Sequence, residues 1–241
     1  MIGILTSNFS LYHDLIDSLR KREIPFVSLT FKDKIPSNVD VVITSYEDDV
    51  RFQNAVIWKG EDVDNIIDRA IMLSYSKKTN IIFGIDPGEN IGIAIYDNEK
   101  LIRKFVTTSP EQAADFIKRY IKEVKADEVT VRIGNGARLV RNRIINLLMD
   151  EEARIEIVDE SSIPCEDDDA AAASTIAMAE GVEIRGRFKV EPKDGEIREM
   201  QRLSRIKSRN ITISKELARK VLRGEIELEE AIKMQREKNQ E

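Results

Sequence analysis

Hydrophobic residues follow two different periods along the first 75 residues. Short apolar runs predict strands, and apolar residues spaced three and four apart predict helices. The predicted strands are Ile2–Leu5, Pro25–Phe31, Val39–Thr44 and Asn54–Trp58. One helix carries Leu11, Leu15 and Leu19, and a second begins near Val63. This β-α-β-β-β-α order predicts a small α/β domain of the flavodoxin or Rossmann class over residues 1–76, with a largely parallel sheet.

A second α/β unit begins at Asn80 and has a different order of elements. Its first two predicted strands flank the tight turn at residues 86–90, so they form a hairpin, and a third strand extends this into a meander. A helix, a strand, a helix, a strand and a final alanine-rich helix follow. The predicted strands are 81–85, 91–96, 101–107, 128–133 and 154–158, and the helices are 110–124, 139–150 and 167–179. We predict one domain over residues 80–184.

Residues 185–241 are predicted to form a basic helical extension. Ser214 and Gly224 are typical of the start and the end of a helix, and a second helix follows from Glu227. Such a helical hairpin docks on a neighbouring domain or on a second subunit, so the sequence is compatible with a homodimer.

Composition limits the chemistry of this 241-residue chain. One cysteine and one histidine exclude a disulfide framework, a cysteine-rich zinc site and catalysis by several histidines. Carboxylates are the plentiful reactive groups. The sequence has no apolar run of about 20 residues and no secretion signal at its start, so we expect a cytoplasmic protein that does not bind membranes.

The net charge of −6 conceals a strong asymmetry along the chain. Residues 1–76 carry 8 basic and 12 acidic side chains, and residues 77–184 carry 14 and 21. Residues 185–223 carry 13 basic and 5 acidic side chains. A basic segment of this kind is typical of nucleic-acid binding, and it is equally typical of a solvated, salt-bridged helix.

Acidic residues are placed at strand ends and at one helix start in the second unit. Asp86 ends the first strand, and Asp159 and Glu160 follow the fifth. Four consecutive acids, residues 166–169, begin the last helix. The helix dipole accounts for part of this charge, but four adjacent acids also repel one another. A hard divalent cation such as Mg²⁺ or Mn²⁺ would relieve that repulsion, and two such ions can support phosphodiester hydrolysis.

These motifs resemble the RNase H-like superfamily, and in particular the RuvC and YqgF group of Holliday-junction resolvases, over residues 80–182. The resemblance is carried by Asp86-Pro87-Gly88, by Val158-Asp159-Glu160, by Asp169-Ala170 on the closing helix, and by the order of the strands. It implies a metal-dependent nuclease with Asp86, Glu160 and Asp169 as catalytic carboxylates. It also implies a metal site drawn from Asp86, Glu160, Glu166, Asp168 and Asp169.

The sequence departs from the active resolvases in one place. RuvC carries a glutamate at the end of the fourth strand, where this chain has Arg132-Ile133-Gly134-Asn135. Residues 133–137 are instead similar to the YqgF-like domain of Tex proteins, which implies a nucleic-acid scaffold without catalysis. The alternative function is therefore a catalytically inactive RNase H-like scaffold that binds nucleic acid or protein partners. A third reading, an actin-like phosphohydrolase, rests on the Gly84–Gly88 hairpin, but that fold requires two such domains.

Two groups of arginines are candidates for contacting nucleic acid. Arg138 and Arg141 share one face of the helix after Gly134-Asn135-Gly136, a turn that suits either phosphate binding or a positive φ at glycine. The second group is a stripe of one predicted helix: Arg198, Arg202, Arg205 and Arg209. The stripe suits phosphates of structured DNA or RNA, and it equally suits the acidic surface of the chain's own second domain.

Overall fold

The computed structural model of the chain describes residues 1–32, 34–75, 78–162 and 168–239. The first sheet contains β1 (Ile2–Ile4), β2 (Phe26–Ser28), β3 (Val41–Ser45) and β4 (Ala55–Trp58), in the order β2-β1-β3-β4 with all neighbours parallel. Its helices are α1 (Phe9–Lys21) and α2 (Val63–Leu73). They pack on one face of the sheet, and the aliphatic residues of β1 and β3 fill the space beneath them. The predicted parallel α/β arrangement is therefore present, with a shorter β2 than its apolar run suggests.

The second sheet is mixed and larger. Its strands are β5 (Asn80–Pro87), β6 (Ile91–Asp97), β7 (Lys100–Thr107), β8 (Glu128–Gly134), β9 (Arg154–Val158) and β10 (Gly181–Glu183). Their order is β10-β9-β8-β5-β6-β7. The meander β5-β6-β7 is antiparallel, β8 and β9 continue parallel to β5, and β10 closes the edge antiparallel to β9. The pattern did not predict β10, which is only three residues long and mostly exposed.

Helices cover both faces of the second sheet. They are α3 (Pro110–Val124), α4 (Arg138–Leu148) and α5 (Asp169–Met178). Alternate residues of the central strands, including Phe83, Ile85 and Ile133, form the core beneath α3 and α4. The intervening positions, which include Gly84 and Asp86, face α5 on the other side.

A buried ion-pair network joins the two sheet units. Asp68 of α2 is fully buried, and its carboxylate lies 2.5 Å from the guanidinium of Arg22 and 3.2 Å from that of Arg103 on β7. Asn65 of α2 also hydrogen bonds to Arg103 and to Glu123 of α3. The charges of Asp68, Arg22 and Arg103 depend on one another, because a buried charge without a partner is costly.

The C-terminal helices α6 (Asp194–Ser208), α7 (Lys215–Arg223) and α8 (Leu228–Lys238) share their own apolar cluster, which includes Ile197, Ile213 and Ala231. They dock on α4 of the same chain. Gly224, in the left-handed conformation that ends α7, lies directly over the guanidinium of Arg143. In the described residues, no helix has the length and apolarity of a membrane span.

The actin-like reading finds no support in this architecture. That fold needs a second hairpin domain like the one around β5 and β6. The described strands of the first sheet all pair in parallel, so the first unit does not supply it.

Candidate functional site

Helix α5 lies very close to the second sheet because glycines occupy the strand positions beneath it. A Cβ atom on Gly84 would stand 1.9 Å from the carbonyl oxygen of Ala173, and one on Gly92 would stand 1.9 Å from that of Asp169. Small residues on the helix complete the contact, with Ala173 and Ala177 fully buried. The glycines of the first hairpin and the alanines of α5 therefore form one packing motif, which sets the height of α5 above the strands.

This packing brings Asp169 next to Asp86. Gly92, the residue beneath the Asp169 backbone, is the direct cross-strand partner of Asp86, so both lie on the face covered by α5. Burial raises the pKa of Asp86 to about 6, and the negative charges of Glu160 and Asp169 add to the effect. Glu160 and Asp169 therefore lie near enough to Asp86, at the carboxyl end of the central strand, for their charges to raise its pKa.

Glu160 reaches the site across the end of the neighbouring strand. The backbone N–H of Gly136 donates a hydrogen bond to its Oε1 at 2.8 Å, and a Cβ on Gly134 would stand only 2.2 Å from the same atom. The end of β8, where the resolvases place a glutamate on the strand, is here covered by a glutamate from the turn after β9. The absent side chain at Gly134 is what makes room for it.

A positive φ does not explain the two glycines at the end of β8. The sequence left open whether this turn binds a phosphate or needs a positive φ at glycine, but neither Gly134 nor Gly136 has a positive φ; Ala137 does, at 22°. The positive-φ reading of these glycines is therefore wrong. Close approach of Glu160 explains Gly134, and the Gly136 N–H is engaged by that carboxylate.

Two further acids, Asp168 and Glu166, were proposed as metal ligands, and Asp159 precedes Glu160 in the chain. Asp168 caps α5, accepting a hydrogen bond from the Ala171 N–H at 3.2 Å, and its carboxylate lies 3.8 Å from Lys104 Nζ. Asp159 accepts a hydrogen bond from the Ser161 N–H, which lowers the pKa of its carboxyl. Glu166 lies outside the described residues.

Lys104 was missed by sequence reasoning. It lies on β7, opposite Ala94 of β6, and so faces α5. The pairing of the meander strands could have revealed it. Ala94 lies on the same face of β6 as Gly92, and Lys104 is the cross-strand partner of Ala94. A cation at this position offsets part of the negative charge at the start of α5.

The donor set suits a divalent cation in its chemistry. Carboxylate oxygens are the ligands that Mg²⁺ and Mn²⁺ prefer. The pKa of Asp86 is raised first by burial and then by the negative charges of Glu160 and Asp169, and a cation would relieve the second of these effects. In the parts of the chain that are described, however, no three His, Cys, Asp or Glu side chains stand close enough together to hold a metal ion. The site has the residues for a metal without the closed geometry of a preformed metal centre.

Arg138 and Arg141, the first candidate pair for nucleic acid, are both engaged within the protein. Arg138 donates to the Glu191 carbonyl and to the Glu196 carboxylate, which ties α4 to the start of α6. Arg141 is buried, and its guanidinium donates to the side chains of Asn135 and Asn142. Burial also lowers the pKa of Arg141. Their contacts are those of structural residues.

The arginines of α6 are exposed. Arg198 donates to the Asp194 carbonyl one turn earlier, and Arg202 forms an ion pair with Glu199 at 2.6 Å. Arg205 is also exposed on the helix, which buries Ile197 and Ser204. Arg209 lies one residue beyond α6, as its C-cap in the left-handed conformation, so the predicted helical stripe ends at Arg205. No ion pair joins the four arginines to the acids of the second sheet in the described residues. The structure therefore does not support the reading in which this stripe contacts the acidic surface of the chain's own second domain.

Comparison with known proteins gives partial matches at the two ends of the chain. Residues 1–74 match a family model described as a response regulator receiver-like domain. Residues 193–237 match a model described as a three helical bundle domain. Neither match includes Asp86, Glu160 or Asp169. No curated protein matches the chain.

Among solved structures, the chain is similar to two crystal structures of Argonaute from Marinitoga piezophila. One is a complex with a 5′ OH guide RNA, at 11% identity and a TM-score of 0.25. The other also contains target DNA, at 13% identity and a TM-score of 0.27. Each alignment covers 66% of this chain and 39% of the Argonaute chain.

Proposed function

We propose that this protein binds nucleic acid along the arginine stripe of α6 and hydrolyses phosphodiester bonds at Asp86, Glu160 and Asp169 with Mg²⁺ or Mn²⁺. The observation that carries the proposal is the convergence of the three carboxylates on the end of the central strand. Two of them come from other elements, and glycines at Gly92 and Gly134 make the room that each requires. Three acids brought together in this way exceed what packing or helix capping needs.

We also propose an RNase H-like fold for residues 80–184, between a separate α/β domain at 1–76 and the helical extension at 185–241. The antiparallel meander followed by two parallel strands supports it, as does the central position of β5. In this arrangement Asp86 belongs to the central strand, and the closing helix α5 supplies Asp169.

Each residue has a distinct part in this proposal. Asp86, Asp169 and Glu160 would hold the cation. Bound there, it would supply stabilisation of the charge that develops on the phosphate and activation of a water nucleophile. Lys104, beside Asp168, keeps the start of α5 from carrying uncompensated charge. The α6 arginines bind the phosphate backbone, which fixes the position of the substrate without reading its sequence.

The second candidate function is a nucleic-acid-binding scaffold that does not cut. It is favoured by one observation, that the described carboxylates do not form a preformed metal cluster. Glu160 already accepts a hydrogen bond from Gly136, which holds one of its oxygens on the protein. In this case the three acids would have no catalytic role, and α6 alone would bind nucleic acid.

Cleavage and binding measured side by side distinguish the two candidates. We expect the wild-type protein to bind a labelled branched or duplex substrate in EDTA and to cut it when Mn²⁺ or Mg²⁺ is added. Asp169→Asn should reduce cleavage by at least about 100-fold and leave binding unchanged or tighter, because it removes a negative charge near phosphate. Asp115→Asn, at an exposed position of α3, is the matched control and should behave as wild type.

Each outcome distinguishes the nuclease from the scaffold or contradicts both. Binding without any metal-dependent cleavage by the wild type would exclude the nuclease and leave the scaffold. Equal cleavage by Asp169→Asn and wild type would remove Asp169 from the reaction. A protein that binds no nucleic acid under these conditions would contradict both candidates.

A further inference from the structure

A cavity of about 560 Å³ lies between the first unit and the second sheet, away from the carboxylate site. The amino ends of β1 and β2 and the end of α2 form one wall, and residues 100–104 of β7 form the other. Among the described strands β7 is the edge of its sheet and pairs with β6 alone. Ligand sites of about 300–1,000 Å³ are common at domain interfaces, so both the size and the place suit a small molecule.

Much of the lining of this cavity is apolar. Ile2, Ile24 and Ile71 contribute from the first unit, and Leu101 and Ile102 contribute from β7. Ile2 and Ile102 are buried, whereas Leu101 is 42% exposed. An apolar side chain that meets solvent in a concave site is covered favourably by an apolar ligand, because its surface is then removed from water. The lining therefore favours a ligand with an apolar body.

The charged side chains of the lining are all positive. None of the described lining residues is acidic, and four are basic: Arg22, Lys100, Arg103 and Lys104. The two arginines are balanced by carboxylates of α2 behind them, and Lys104 lies 3.8 Å from Asp168. The ion pairs that lysines form among the described residues do not include Lys100. Its ammonium instead lies 3.8 Å from the centroid of the Tyr75 ring. The cavity thus has an excess of positive charge, which favours an anionic ligand.

The two arginines are held in place before any ligand arrives. Arg22 donates to Asp68 at 2.5 Å and, across the cleft, to the carbonyl of Ile102 at 3.3 Å. Arg103 donates to the side chain of Asn65 at 2.8 Å. A guanidinium has more N–H donors than these bonds use. Side chains that are already ordered lose little conformational entropy on binding, so this wall of the cavity is preorganised for a ligand.

We propose that this cavity binds a small organic anion, a compound with an apolar body and one phosphate or carboxylate group. The apolar body lies against Ile24 and Leu101, and the anionic group lies at Lys100. Residues of both units line the cavity, so one ligand contacts the first unit and the second sheet together. The inference uses none of the residues of the proposed nuclease site and does not depend on that function.

Isothermal titration calorimetry on the full chain in EDTA tests the ligand class. The probes are 1-naphthyl phosphate and 1-naphthoate, which combine an apolar body with the two anionic groups. Inorganic phosphate and 1-naphthol supply the anionic group and the apolar body separately. We expect at least one of the combined probes to bind at least about tenfold more tightly than either separate probe, because both parts of the cavity are then used. The tighter of the two combined probes distinguishes a phosphate ligand from a carboxylate ligand.

Two variants test the place of binding. Leu101→Asp puts a negative charge into the cavity and should weaken binding of the tighter probe by at least about tenfold. Val106→Asp is its matched control, since Val106 is 44% exposed on the same strand and does not line this cavity. Lys100→Ala should weaken binding by at least about threefold, and Lys59→Ala, exposed on the first unit, should not. Thermal unfolding without ligand shows whether each variant is folded, and Lys100→Ala decides the question where Leu101→Asp is not.

Each contrary result contradicts a stated part of the inference. Binding of 1-naphthol as tight as that of both anionic probes contradicts the anionic class. Wild-type affinity in folded Leu101→Asp and in Lys100→Ala, or an equal loss in their controls, contradicts the assignment to this cavity. No binding of either combined probe contradicts the inference as a whole. None of these results bears on nucleic-acid binding or cleavage, which the experiments on Asp169 test separately.

Discussion

Each sheet has an aspartate at the carboxyl end of its strands, Asp48 in the first and Asp86 in the second, and the two side chains have opposite surroundings. In the first sheet, Asp48 accepts hydrogen bonds from the N–H groups of Ser7 and Ser45, at 2.9 and 3.0 Å. It also accepts from the hydroxyl groups of Ser7 and Thr44. In the second sheet, Asp86 is faced by the negative charges of Glu160 and Asp169.

The pKa values follow this difference. Burial alone raises the pKa of Asp48, but the hydrogen bonds from Ser7 and Ser45 outweigh it, and the pKa falls below its ordinary value. Burial and like charges together raise the pKa of Asp86 to about 6. One carboxylate is satisfied by the fold and stabilises it, whereas the other is held at a cost to stability. An acid kept in unfavourable surroundings is the better candidate for function.

The largest effect should come from the packing that creates the crowded site. Gly92→Ala would place a methyl group 1.9 Å from the carbonyl oxygen of Asp169, so the start of α5 has to move away from the sheet. We expect a loss of about 3 kcal/mol in the free energy of unfolding, measured by urea denaturation. Gly186→Ala, where nothing lies within 4 Å of the added atom, is the control and should change it by less than about 0.5 kcal/mol. Equal stability of the two variants would mean that α5 does not rest on Gly92.

Much of the fold could be predicted from hydrophobic period and turn chemistry. The hairpin at residues 86–90, the helix opened by Ser109 and Pro110, and the helix ended by Gly224 all lie where local signals placed them. These features are set by residues that lie only a few positions apart in the sequence. The apolar run from Pro25 to Phe31 predicted a longer strand, but only Phe26–Ser28 pair with β1.

The parts of the site that the sequence did not reveal depend on contacts between distant residues. Glu160 and Gly134 are neighbours only because β8 and β9 pair in parallel. Arg141 looks like an exposed cation at helical spacing, but the fold buries it against Asn135 and Asn142. Sequence spacing shows which side chains share a helix face, and only the packed fold shows whether that face meets solvent.

A smaller effect is expected at the satisfied carboxylate. Asp48→Ala would leave the N–H groups of Ser7 and Ser45 without their acceptor, and we expect a loss of about 2 kcal/mol at pH 7. Because the folded pKa of Asp48 is lowered, its contribution is full above about pH 4 and is lost as the pH falls through the folded pKa. The difference in stability between the variant and wild type should therefore become smaller at low pH. Asp14→Ala, exposed on α1, is the control, and an equal loss there would contradict the role of Asp48.

The smallest effect, with the opposite sign, is expected at Asp86. Because its pKa is raised from 3.8 to about 6, the folded protein binds a proton more tightly than the unfolded chain between these pH values. Wild-type stability should therefore fall as the pH rises from about 4 to about 6 and stay at the lower level above that. Asp86→Asn removes the charge, so we expect it to be more stable than wild type at pH 7 and nearly equal at pH 4. The full difference in pKa corresponds to about 3 kcal/mol, and solvent screening at this half-buried carboxyl reduces the expected gain to about 1–2 kcal/mol. Urea denaturation in EDTA at several pH values measures it, with Asp115→Asn as control. A variant less stable than wild type at pH 7 would show that Asp86 is satisfied by the fold in the way that Asp48 is, and the contrast between the two sheet edges would be lost.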